Sequence, residues 1–207
     1  MHVSVQQLYF DYPSPTLSLC QTSLLHKISF DLPKNGILHI SGANGSGKTT
    51  LLKILAGFFR PVAGYIFFDQ KDIWSALPEY QQHICYLGHK NGISMDLTAW
   101  EHCHFDLQIP KYSPQIPLAL QQLSLWHVKD LPCQLLSAGQ KRRVALLRLL
   151  FSSASLWLLD EPIVGLDDAG ITVLMSLLQN HITSGGQVIY TSHQALPWGN
   201  IAYQEYC

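Results

Sequence analysis

Eight consecutive residues, Gly42-Ala43-Asn44-Gly45-Ser46-Gly47-Lys48-Thr49, fit the spacing G-x-x-x-x-G-K-[ST], with one additional glycine at 45. Glycines at these intervals let the backbone curl until successive N–H groups point at phosphate oxygens. A helix that starts immediately afterwards adds its positive N-terminal end. In that setting Lys48 reaches the β- and γ-phosphates, the Thr49 hydroxyl is a ligand for Mg²⁺, and Thr50 extends the nucleotide-binding run. A second chemical site lies about a hundred residues on, where Leu156-Trp157-Leu158-Leu159 ends in Asp160-Glu161. An apolar run closing on a carboxylate reads as a buried strand that delivers Asp160 to its carboxyl edge, where α/β sheets bind ligands. Asp160 is then a second metal ligand, and Glu161 is the candidate general base that orients a water molecule. Taken alone, Glu161 reads equally well as a solvated residue at a strand end; the phosphate loop is what favours catalysis.

The elements that must hold these residues follow from periodicity. Segments 3–10 and 24–32 are short, apolar and partly alternating, as half-buried strands are, with Pro13, Ser14 and Pro15 breaking the chain between them. Asn35-Gly36 marks a turn before the compact strand Ile37-Leu38-His39-Ile40. The glycine-rich loop follows, and then a stretch whose leucines recur at helical spacing, closed by Pro61 and Gly64 before a strand at Tyr65-Ile66-Phe67-Phe68. From Asp72 to about Leu135 the pattern is mostly helical, interrupted by Pro78, Pro110, Pro114, Pro117 and Pro132. It predicts an inserted helical lobe with connecting loops. A helix near 138–150, a strand at 156–160, a helix near 168–182 and a strand at 187–192 complete the chain. Strands alternating with helices predict an α/β core with a mostly parallel sheet. The whole chain, 1–207, is expected to be one domain, with the helical lobe approximately at 72–150.

With 207 residues and 47% hydrophobic side chains, the chain can bury one core. Thirteen basic against fourteen acidic residues give a net charge of −1, without the basic excess of a nucleic-acid binder, although ten histidines can add positive charge in acid. The cysteines Cys20, Cys85, Cys103, Cys133 and Cys207 are odd in number and form no CxxC pair, which argues against a disulfide framework or zinc knuckle and for a reducing cytoplasm. The first residues carry no secretory pattern. The nearest approach to a membrane span, 146–159, is broken by Arg148 and three serines, so any service to a membrane is expected to go through a partner. The cluster His102-Cys103-His104 reads as ordinary helix, since residues two apart diverge by about 200°. Lys141-Arg142-Arg143 reads as the solvated face of a helix.

Leu136-Ser137-Ala138-Gly139-Gln140 adds a serine suited to cap the helix that follows. Together with the two motifs above and His193 after the last strand, it resembles the ATPase subunits of ABC transporters. That resemblance implies a P-loop NTPase cassette with a mostly parallel core sheet, an antiparallel β subdomain and the helical lobe. It implies hydrolysis of MgATP, with Ser137, Ala138, Gly139 and Gln140 facing the γ-phosphate held by a second copy of the cassette. Tyr12 matches the aromatic that stacks on adenine, with Tyr9 as rival; Gly165-Leu166-Asp167 lies at the D-loop; Ser192-His193 fits the switch histidine. Lys48, Glu161 and His193 are the catalytic set. The family usually places glutamine, after a strand resembling Tyr86-Leu87-Gly88, where this chain has His89, which is shorter and can titrate, so a metal or water contact there is a secondary expectation. Soluble cassettes that act on DNA or ribosomes typically carry a coiled-coil insertion or a fused second cassette, and neither is visible here. Tyr86-Leu87-Gly88-His89, Gly92-Ile93, LSAGQKRRVALLRLL, LWLLDEP and Ser192-His193-Gln194 are similar to the haem-exporter ATPases of cytochrome c maturation. This implies a polytopic membrane permease as partner, docked near residues 89–105 (Met95, Leu97, Trp100), and a peripheral place on the cytoplasmic face of the inner membrane.

Overall fold

A computed structural model describes residues 2–12, 24–106, 113–198 and 203–206. The Pro13–Pro15 break, Pro110, Cys20 and Cys207 lie outside the described residues. Two sheets form. In the first, β1 (Val3–Phe10) pairs antiparallel with β2 (Leu25–Leu32) and with β4 (Ala63–Phe68), and β4 pairs with the two-residue β5 (Lys71–Asp72), giving the order β2-β1-β4-β5. In the second, β3 (Ile37–Ile40), β6 (Ile84–Leu87), β7 (Leu156–Asp160), β8 (Gln187–Thr191) and β9 (Gln204–Tyr206) are parallel in the order β6-β7-β8-β3-β9. Every residue of β3, β7 and β8 is buried, as expected for strands covered on both faces.

The two coverings differ. On one face, α1 (Lys48–Leu55) is wedged against the antiparallel sheet. Val3, Leu8, Leu32 and Ile66 of that sheet share a core with Leu52 and Leu55 of the helix and with Leu38, Leu158 and Ile189 of the parallel strands. On the other face lie α5 (Ala138–Phe151) and α6 (Asp168–Thr183). Leu146, Leu147, Leu174 and Leu178 pack there on Leu159, Val188 and Tyr190. This second core runs on without a break into the segment between β6 and α5, through Cys103, Ile116, Leu120 and Cys133.

That segment departs from the expected pattern. Ile84–Leu87, inside the stretch read as mostly helical, is a strand of the parallel sheet paired with β7. The helices around it are short: α2 (Leu77–Gln81), α3 (Ala99–Glu101) and α4 (Gln115–Gln122), with tight turns at Trp126–Val128 and Cys133–Leu135. His102–Asp106 winds as a π turn. There His102 is buried with Nε2 3.0 Å from the Ser94 carbonyl, while His104 is half-buried beside the Phe105 ring. Among the described residues no cluster of three or more potential metal ligands occurs, and no helix is long and apolar enough to cross a membrane. Cys85, Cys103 and Cys133 are buried.

The antiparallel sheet bends sharply where β1 and β4 slip register between Gln6 and Tyr9. Gln7 there has φ of 44°, and opposite it Gly64 has φ of +91°. A Cβ on Gly64 would lie 2.3 Å from the Gln7 carbonyl oxygen, which is backbone and cannot swing away. Gly64→Ala is expected to destabilise the fold by about 2 kcal/mol or more. That lowers the thermal midpoint by about 4–8 °C in a chain of this size, read by circular dichroism. An unchanged midpoint would mean that the bend relaxes freely.

Candidate functional site

The glycine-rich loop leaves β3 and turns directly into α1. Gly47, the residue before the helix, is left-handed at φ of +93°, and a Cβ there would strike Leu25 Cδ2 at 2.6 Å. Only glycine therefore lets the helix start so close under β2. No side chain caps α1, so its first N–H groups are left for a ligand. Lys48 Nζ donates to the carbonyls of Gly42 at 2.7 Å and Ala43 at 3.0 Å, which keeps the ammonium over the loop. Ser46 N–H donates to the Ala43 carbonyl and closes the turn.

A cleft of 540 Å³ opens beside this loop. It is lined by Asn44, Gly45, Gly47, Lys48, Thr49 and Thr50 from the loop and α1, by Asp160 and Glu161 from the end of β7, and by Tyr12, His89 and His193. Asp160 is 1% exposed, and its two oxygens are held separately. Thr49 Oγ1 donates to Oδ2 at 2.8 Å, and Thr191 Oγ1 donates to Oδ1 at 2.7 Å. Glu161 follows with φ of 48°, a left-handed conformation fixed by its N–H bond to the Thr191 carbonyl at 3.1 Å. Its Oε1 lies 3.6 Å from Nε2 of His193, whose side chain is about half exposed. A carboxylate able to take a proton, an imidazole beside it and a buried second carboxylate next to a hydroxyl thus share one cleft with the lysine.

Tyr12 stands at the rim. Its hydroxyl is 3.0 Å from Thr50 Oγ1, and its ring meets Phe10 and Phe59 edge-on, at 5.1 and 5.7 Å. It is 48% exposed, leaving ring surface open to a planar ligand. The rival Tyr9 packs edge-on against His26 and lines a separate groove with Gln6 and Tyr65. Gly42 and Ser46 line a smaller neighbouring cavity with Ile40 and Leu51. Ser137, Ala138, Gly139 and Gln140 are not in the cleft. Ser137 caps α5, with its Oγ accepting from Gln140 N–H at 3.2 Å and Gln140 Oε1 accepting from Ser137 N–H at 2.9 Å. Ser137 and Ala138 are exposed, and Gly139 abuts the Gly165 carbonyl, where a Cβ would come within 3.1 Å.

The basic run 141–143 is not the solvated face expected from the sequence. Arg142 is 3% exposed. Its Nη1 donates to the Gly88 carbonyl at 3.0 Å and to Asn91 Oδ1 at 3.2 Å; its Nη2 donates to the Glu161 carbonyl at 2.9 Å and the Asp160 carbonyl at 3.3 Å. Burial lowers the pKa of this guanidinium, and the Asp160 charge raises it again. Arg143 pairs with Asp167, and Lys141 Nζ reaches the Gln134 carbonyl at 3.1 Å. The positions 142, 145, 146 and 149, all buried, form one helical stripe. That spacing is the signal in the sequence for a buried Arg142, although three adjacent cations read as surface.

The family model described as "ABC transporter" matches residues 25–164. The chain belongs to the ABC transporter family. As such a cassette it binds adenine nucleotide and is an ATPase. It is 45% identical over 204 residues, 99% of this chain and 98% of the other, to the cytochrome c biogenesis ATP-binding export protein CcmA of Legionella pneumophila strain Lens. An ABC transporter ATP-binding protein from Pyrococcus furiosus shares the fold at a TM-score of 0.80 and 23% identity, over 99% of this chain and 97% of that one. A dimeric ATP-binding cassette bound to ADP and phosphate shares it at 0.76 and 22%, over 93% and 88%. The cassette fold, with its parallel core sheet, separate antiparallel sheet and helical segment, is therefore that of the family.

Arg142 ties this cassette's α5 to the strand end that carries Asp160 and Glu161. Arg142→Met is expected to take a donor from each of the carbonyls at 88, 160 and 161 and to cost about 3 kcal/mol. The thermal midpoint then falls by about 6–12 °C. Arg142→Lys, whose compact ammonium lacks the planar fork that reaches Gly88 and Glu161 at once, recovers little of the loss. A stable methionine variant would show that water replaces the guanidinium.

Proposed function

We propose that the chain is the ATP-hydrolysing subunit of a transporter that exports haem, or releases a haem-loaded chaperone, during cytochrome c maturation. The observation that carries this reading is the end-to-end likeness to a cytochrome c biogenesis ATP-binding export protein. In this reading two copies sandwich ATP, and the cassette sits on the cytoplasmic face of the inner membrane, held by a polytopic permease near residues 89–105. Met95, exposed at 46%, supports that contact, whereas Leu97 and Trp100 are half-buried. The permease carries the substrate site.

The residues of the cleft support MgATP chemistry. Thr49 and Asp160 offer a hydroxyl and a carboxylate, hard oxygen donors of the kind Mg²⁺ takes alongside phosphates and waters. His89 offers nitrogen, a poorer match, and fits better as a hydrogen-bond partner to water or phosphate. The metal, when bound, neutralises charge on the β- and γ-phosphates. Lys48 exchanges its two loop carbonyls for phosphate oxygens, and the open N–H groups of α1 take others. Tyr12 offers its ring to adenine. Glu161 accepts the proton of the attacking water, and His193, beside it, orients the γ-phosphate and that water. The exposed N-terminus of α5, with Ser137, Ala138, Gly139 and Gln140, closes the site of the other copy; its absence from the cleft of its own chain supports the trans arrangement.

Two measurements test this. Glu161→Gln retains ATP binding and lowers turnover of the assembled transporter by about 10²–10⁴-fold, because an amide is a poor proton acceptor. In cells it removes holo c-type cytochromes and spares b-type ones. Normal c-type levels alongside lost turnover would sink the haem assignment while leaving the ATPase. Mixed dimers with Ser137→Arg on one copy and Lys48→Ala on the other retain one intact composite site if ATP is sandwiched. Loss of both sites in calorimetry would refute the trans arrangement.

A further inference from the structure

We propose that His39 is a positioning residue for His193, clamping the switch loop from inside the sheet. This rests on reading His193 as a residue that acts on the nucleotide.

His39 interrupts the apolar run of β3 and is 2% exposed. A buried imidazole is costly unless its nitrogens meet partners. Here Nε2 lies 3.0 Å from the carbonyl oxygen of Ser192. A carbonyl only accepts, so Nε2 carries the hydrogen and donates. That carbonyl belongs to the peptide joining Ser192 to His193, so the bond fixes the peptide plane from which His193 departs. The opposite nitrogen, Nδ1, is buried 3.5 Å from Glu205 Oε1 without a hydrogen bond, so the Nε2 bond is the polar anchor of the ring. The register places both neighbours: β3 lies between β8 and β9, with Tyr190 and Glu205 directly across from His39.

The ring cannot turn out of this arrangement. It lies flat on Tyr190, with centroids 4.7 Å apart and planes within 6°. Tyr190 is itself anchored, since its hydroxyl accepts from Trp198 Nε1 at 3.1 Å and from Leu196 N–H at 3.4 Å. The loop after β8 is thus tied to one stacked pair at two points. His39 holds it before His193, and Tyr190 holds it at 196–198. His193 stands between these points, 3.6 Å from Glu161. Nothing in this set is needed to fill the phosphate cleft, because neither His39 nor Tyr190 lines it.

The test compares His39→Gln, His39→Asn and His39→Leu in the assembled transporter. The amide nitrogen of glutamine falls near Nε2 and can donate to Ser192, whereas that of asparagine falls near Nδ1 and cannot. Asparagine and leucine are expected to lower kcat roughly tenfold while leaving the KM for ATP within about twofold, and glutamine to retain most of the turnover. Equal turnover with glutamine and asparagine, or parallel loss of kcat and nucleotide affinity, would overturn the proposal in favour of simple packing. If leucine prevents folding, glutamine against asparagine decides. His193→Ala, measured alongside, separates the two readings. Wild-type turnover in that variant defeats the role of His193 itself; lost turnover there, with full activity in the asparagine variant, defeats the clamp alone.

Discussion

A carboxylate taken out of water must be given donors, and Asp160 receives one on each oxygen. The two hydroxyls come from different parts of the chain. Thr49 is in the first turn of α1, and Thr191 ends β8, so the buried charge fixes the phosphate loop against two neighbouring strands. Behind it, the equally buried guanidinium of Arg142 takes the carbonyls of Asp160 and Glu161. The end of β7 is thereby gripped from both faces of the sheet, by α1 on one side and α5 on the other.

This grip also links two distant surfaces. α5 begins at Ser137 on the exposed edge of the molecule and reaches Arg142 little more than one turn later. The same guanidinium bonds Gly88 and Asn91, which flank His89 on the cleft. One side chain near the α5 N-terminus is therefore hydrogen-bonded both to the strand end and to the segment that carries residue 89.

Much of the cleft could be read from residue order because its groups are adjacent in sequence: a glycine loop with Lys48 and Thr49, and a fully apolar strand ending in Asp160 and Glu161. What escaped was whatever depends on partners remote in sequence. Arg142 looked solvated because nothing in KRR announces the carbonyls at 88, 160 and 161. β6 is four residues long in a proline-broken stretch, too short for periodicity to separate strand from helix, and only the family resemblance points to a strand before His89. β9, with the sequence QEY, has no apolar pattern and exists because it pairs with β3 along an edge. Of Tyr12 and Tyr9, it is Tyr12 whose ring lies beside Thr50 at the cleft.

With Glu161 as the general base proposed above, its left-handed backbone sets activity against robustness. A non-glycine residue at φ of 48° carries strain of about 1–3 kcal/mol, held in place by the bonds of its N–H to Thr191. Glycine or asparagine would sit at that position more comfortably than glutamate. Under the role proposed for Glu161, selection for heat resistance alone would therefore favour replacing the carboxylate that takes the proton from water. A thermostabilised version of this cassette chosen without an activity screen runs the risk of being an inert nucleotide binder.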